Sequence, residues 1–65
     1  MEIQVNPKAD DLQLTKIVKG AESGATLNTE NEHQFELIKR LLVQHKRVGL
    51  RVCLLDKDGY ITRQI

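Results

Sequence analysis

Asp56-Lys57-Asp58-Gly59-Tyr60 places two carboxylates beside a glycine, which suggests a calcium loop. An EF-hand loop needs oxygen ligands at positions 1, 3 and 5, glycine at 6 and a bidentate glutamate at 12. Counted from Asp56, Tyr60 falls at position 5 and Ile61 at position 6, and no helical pattern flanks the loop. A hairpin turn accounts for every residue of the segment, so calcium binding is rejected.

Glu30-Asn31-Glu32-His33 contains Glu-x-x-His, the spacing of di-metal carboxylate bundles. Such sites need matching ligands from other helices, and no second cluster is visible. His33 and His45 stand about 18 Å apart if one helix carries both, too far to share an ion. Cys53 is the only cysteine, so no internal disulfide forms. As a nucleophile it would need a base and a pKa-lowering environment. Flanked by Val52 and Leu54, it reads better as a small buried hydrophobe. Gly20-Ala21-Glu22-Ser23-Gly24 lacks the lysine and the spacing of a phosphate loop. No acid–base pair or triad can be assembled, and neither an enzyme nor a cofactor is expected.

The remaining candidate is a run of bases. Residues 1–36 carry seven acids and three bases, or −4; residues 37–65 carry two acids and seven bases, or +5; together they give the net +1. Lys39, Arg40, His45, Lys46, Arg47 and Arg51 form the candidate binding surface, with no acid between Leu37 and Leu55. Such a patch can neutralise phosphates. The near-neutral whole and the scarcity of aromatic residues (only Phe35 and Tyr60) weigh against a single-strand binder. Helix ends favoured by the helix dipole explain much of the same pattern. A small non-catalytic interaction module is therefore expected, binding a protein partner or a second copy of itself, with nucleic acid as the alternative partner.

These bases need elements to position them. The best-marked element is a helix over 30–46, with Phe35, Ile38, Leu41, Leu42 and His45 along one stripe and Leu37 and Val43 widening it. Thr29 and Glu32 fit a capping box at its start, and Gly49 lies just past its end. From Val48 the period changes to two. Val48 to Leu55 and Tyr60 to Ile65 then form an antiparallel hairpin around the Asp56–Gly59 turn. A two- or four-residue loop sets Ile61 and Ile65 on the face of Leu50, Val52 and Leu54. A three-residue loop with a glycine bulge pairs them with Leu55 and Cys53. The apolar count favours the first register.

Glu2 to Val5 alternates and reads as a short strand ended by Asn6-Pro7. Over 10–21, Leu14, Ile17, Val18 and Ala21 lie on one helical face, with Asp10 or Asp11 as cap. The β-branched Thr15, Ile17 and Val18 also suit a strand, but strand alternation breaks at Ile17-Val18, so the helix is preferred. A loop is expected from Gly20 to about Asn28.

The sum is a single α+β domain spanning 1–65: two layers, with the long helix packed on the hairpin and an N-terminal third strand as an option. A chain this short buries only about 60% of its unfolded surface. Its composition, 40% apolar and 29% charged, is that of a globular chain. Apolar runs such as Leu41-Leu42-Val43 and Val52-Cys53-Leu54-Leu55 are far short of a membrane span, and the first residues lack a signal-peptide pattern. No membrane association and a cytoplasmic location are expected, consistent with a lone thiol.

Overall fold

The computed structural model of the chain describes residues 1–65. Six elements follow in order: β1 (Glu2–Gln4), α1 (Asp11–Gly20), β2 (Thr26–Thr29), α2 (Glu32–Gln44), β3 (Arg51–Leu55) and β4 (Ile61–Gln64). They build a small α+β domain with one four-stranded sheet in the order β1-β2-β3-β4. β1, β2 and β3 run parallel, and β4 returns antiparallel to β3 as the expected hairpin.

Consecutive parallel strands need crossovers, and α1 and α2 supply them. Crossovers of one hand between strands laid side by side put both helices on one side of the sheet. The core lies there. Leu27 pairs with Ile3 on one side and Val52 on the other, and this row meets Leu14 and Val18 of α1 and Phe35, Ile38, Leu41 and Leu42 of α2. Phe35, the one aromatic residue in the core, is fully buried.

Helix α1 starts where its cap dictates. Asp10 Oδ1 accepts the Gln13 amide at 2.9 Å, and Gln13 Oε1 accepts the Asp10 amide at 3.2 Å, a reciprocal capping box. The helical reading of 10–21 therefore holds.

Helix α2 is shorter than 30–46 and has a different cap. Asn31, not Thr29, is the N-cap, its side chain accepting the Gln34 amide at 3.2 Å. Thr29 instead ends β2. Its hydroxyl accepts the Asn31 amide at 3.1 Å and donates to Gln34 Oε1 at 2.8 Å. The Gln34 Nε2 donates on to the Asn6 carbonyl at 2.9 Å, so this buried amide ties the end of β1 to β2 and α2. Two residues able to cap lie within one turn, and the strand claims the first.

The loop expected from Gly20 to about Asn28 ends at residue 25, where β2, the strand between β1 and β3, begins at Thr26. Its four residues, Thr-Leu-Asn-Thr, hold only one strongly apolar side chain. The burial that makes it a strand comes from partners on both sides, more than twenty residues away in sequence.

The hairpin register is split. Val52 and Ile65 exchange backbone hydrogen bonds of 3.0 and 3.3 Å, which keeps Ile65 on the face of Val52 and Leu54 as expected. Ile61 instead pairs with Leu55, against expectation. Gly59, at φ 88°, closes a three-residue loop between Asp56 and Tyr60, which puts Ile61 on the other face. Thr62 is then the extra residue opposite Leu54/Leu55, and this bulge restores the first face for Arg63 and Ile65. Asp56 Oδ1 accepts the amides of Asp58 and Tyr60, each at 2.9 Å, so the turn's own backbone occupies the oxygen that resembled a calcium ligand.

Candidate functional site

The end of α2 determines where the predicted bases go. His45 is the C-cap, and Lys46 takes the left-handed conformation at φ 55°. The Arg47 amide then donates to the Leu42 carbonyl at 2.9 Å and the Lys46 amide to Val43 at 3.2 Å. This is a Schellman closure with lysine in the usual glycine position. It reverses the chain, so that Val48 is left 97% exposed before Leu50 re-enters the core.

Arg47 does not point to solvent. Its Nη1 donates to the carbonyls of Val18 at 3.0 Å and Lys19 at 2.7 Å, and its Nη2 donates to Ala21. The guanidinium thus caps the negative end of α1. Arg51 lies on the far side of the sheet, which no helix covers. There it borders a shallow concavity of about 430 Å³ with Glu2, Thr26, Asn28 and Cys53. Of the six predicted bases, Lys39, Arg40 and Lys46 share the outer side of α2 and its end. His45 is half-buried at the cap, Arg47 is committed to α1, and Arg51 faces the opposite way.

Lys46 and the committed Arg47 border an apolar hollow, and Lys39 and Arg40 border a neighbouring one. Leu42, Val43, Val48, Leu50 and Ile65 line a hollow of about 420 Å³, together with Lys46 and Arg47. A second hollow of about 330 Å³ lies against Glu36, Lys39, Arg40, Val43 and Gln44. Val43, 77% exposed, is the ridge they share, and Ile65 is 45% exposed. By sequence, Leu42 and Val43 belong to the apolar stripe of the helix and Val48, Leu50 and Ile65 to the hairpin, so none stands out as a surface residue. One signal does lie in Leu41-Leu42-Val43: at 100° per residue, three consecutive apolar side chains cannot all face one core.

Charge on this surface is unbalanced. The two ion pairs of the protein both belong to Arg63, with Glu36 at 2.8 Å and Glu32 at 3.7 Å. Arg63 also lies 4.8 Å from the centroid of the Phe35 ring, which fastens β4 to α2. Glu36 is thus neutralised from within, while Lys39, Arg40 and Lys46 have no carboxylate partner.

Elsewhere the side chains offer little for chemistry. No three of the His, Cys, Asp and Glu residues converge in a way that could hold a metal ion. Cys53 is buried and free, on the uncovered side of the sheet. No helix is long and apolar enough to cross a membrane.

Comparison with protein-family models, with curated proteins and with solved structures finds no match for this chain. The class defined here is a two-layer α+β domain with helices on one side of its sheet and an apolar, base-rimmed surface at the helix–hairpin junction.

Proposed function

We propose that this protein is a non-catalytic interaction module whose contact surface is the junction of α2 with the hairpin. The observation that carries the proposal is the group Val43, Val48 and Ile65, exposed around the buried Leu42 and Leu50. Single exposed apolar residues are ordinary on protein surfaces, but a contiguous group with a polar rim marks an interaction site. Leu42 and Leu50 beneath are already buried, so the exposed surface of these three side chains is open to a partner. The occupant is a protein, either another molecule or a second copy.

Nucleic acid is the second reading, and the unpaired Lys39, Arg40 and Lys46 favour it. Ranked against it are the turning of Arg47 into α1 and of Arg51 to the other side of the sheet, which leaves only three phosphate-binding side chains together.

Site-specific photo-crosslinking in the cell of origin separates the readings. A photoreactive residue at position 48 should give protein adducts that one at position 57, in the hairpin turn, does not. Equal labelling at both positions, or adducts to nucleic acid at 48, would defeat the proposal.

A further inference from the structure

The two hollows share Val43. The first is lined mainly by apolar side chains, and the second mainly by charged and polar ones, Glu36, Lys39, Arg40 and Gln44. From the two together, we infer that the surface selects a partner segment in which an apolar anchor residue stands within about four positions of acidic residues. This inference rests on the interaction reading above and adds the chemistry of the partner.

An aliphatic or aromatic side chain fills the hollow formed by Leu42, Val48, Leu50 and Ile65, where it is removed from water. Lys39 and Arg40 lie four and three residues before Val43, one turn of α2 away, or about 5.4 Å along its axis. A partner strand advancing about 3.3 Å per residue covers that distance in two residues, and a helical partner in one turn. Carboxylates at that spacing meet the two bases on one side of the anchor, and Lys46 stands beside the anchor itself. Glu36, the one acidic side chain lining either hollow, is held by Arg63 at 2.8 Å, which offsets its charge toward such carboxylates. A basic segment would instead bring like charges together with nothing to offset them, so the rim discriminates as well as attracts.

The test is selection of a library of random twelve-residue peptides on the folded protein, with counter-selection on Val48→Asp. Position 48 is almost fully exposed, so that variant keeps its fold. Far-UV circular dichroism checks this. The enriched peptides should carry a Leu, Ile, Phe or Trp with Asp or Glu within four positions. Lys39→Glu with Arg40→Glu should weaken their binding about fivefold or more at low salt, and added salt should shrink that gap.

Enrichment of neutral or basic apolar peptides would overturn the charge selection but leave the docking surface standing. No enrichment beyond the Val48→Asp control would overturn both. Tighter binding of a fluorescein-labelled single-stranded oligonucleotide, unaffected by Val48→Asp, would overturn the inference by assigning the bases to phosphate. A native dimer in light scattering that Val48→Asp makes monomeric would overturn it in favour of a second copy.

Discussion

Arg47→Met should be among the most damaging single changes at the helix–hairpin junction, although the side it occupies looks from the sequence like a solvated basic face. The native guanidinium donates to three carbonyls at the end of α1, those of Val18, Lys19 and Ala21. A hydrogen bond from a charged donor contributes about 1.5–3 kcal/mol, against about 1 for a neutral one. The three do not add fully, because they share one side chain and the Lys19 carbonyl can turn to water. The Val18 and Ala21 carbonyls are more sheltered and lose most of theirs. The net loss is then about 2–3 kcal/mol. A domain of this size has about 3–10 kcal/mol in all, so its melting temperature should fall by about 10–20 °C. Far-UV circular dichroism in urea and on heating is the assay, since the chain has no tryptophan and Tyr60 is exposed. Arg47→Lys, with its charge kept but the planar fork lost, should recover less than half of the deficit. Lys39→Met, a base on the outer side of α2 with no ion-pair partner, serves as the control and should change stability by less than about 0.5 kcal/mol. If Arg47→Met proved as mild as that control, the capping role would be wrong and Arg47 would return to the binding surface.

Two further changes probe the elements around the site. Lys46→Gly should raise stability by about 0.5–1 kcal/mol in the same melts, because glycine removes the left-handed penalty of lysine at the close of α2; a drop would mean that the Schellman closure is not the resting conformation. Gln34→Leu should cost about 2 kcal/mol despite its added apolar surface, because the Asn6 carbonyl and the Thr29 hydroxyl lose their buried partner; a neutral result in urea denaturation would show that water replaces the amide without loss.

The uncovered sheet face has its own physical logic. Parallel strands are usually covered on both faces. Here the bare side carries Glu2, Gln4, Thr26, Asn28, Arg51 and Gln64 beside Cys53, Leu55 and Ile61, a mixed set whose polar members keep it hydrated without a second helical layer. The helical side carries Ile3, Leu27, Val52 and Leu54, and the pleat separates the two sets.

What the sequence determined by itself was local. The stripe from Phe35 to Leu42 fixes α2 because residues three and four apart must share a face. The alternation from Leu50 to Leu54 and the Asp56–Gly59 turn fix the hairpin because its partners are neighbours in the chain. Asp10 or Asp11 marks the start of α1 in the sequence, and the structure selects Asp10 through its reciprocal bonds with Gln13. The tertiary structure decided whatever depends on distant partners. Thr26–Thr29 becomes a strand only because β1 and β3 pair with it on either side. Asn31 displaces Thr29 as cap because β2 requires Thr29, and Thr62 bulges because the turn and the core impose opposite phases on β4. The same division runs through the run of bases. The sequence located the positive charge between Lys39 and Arg51. Only the fold turned Arg47 into a cap for α1, moved Arg51 across the sheet and left Val43, Val48 and Ile65 among the bases that remained. Charge is a property of each residue, whereas the surface it serves depends on how two helices and four strands close around one core.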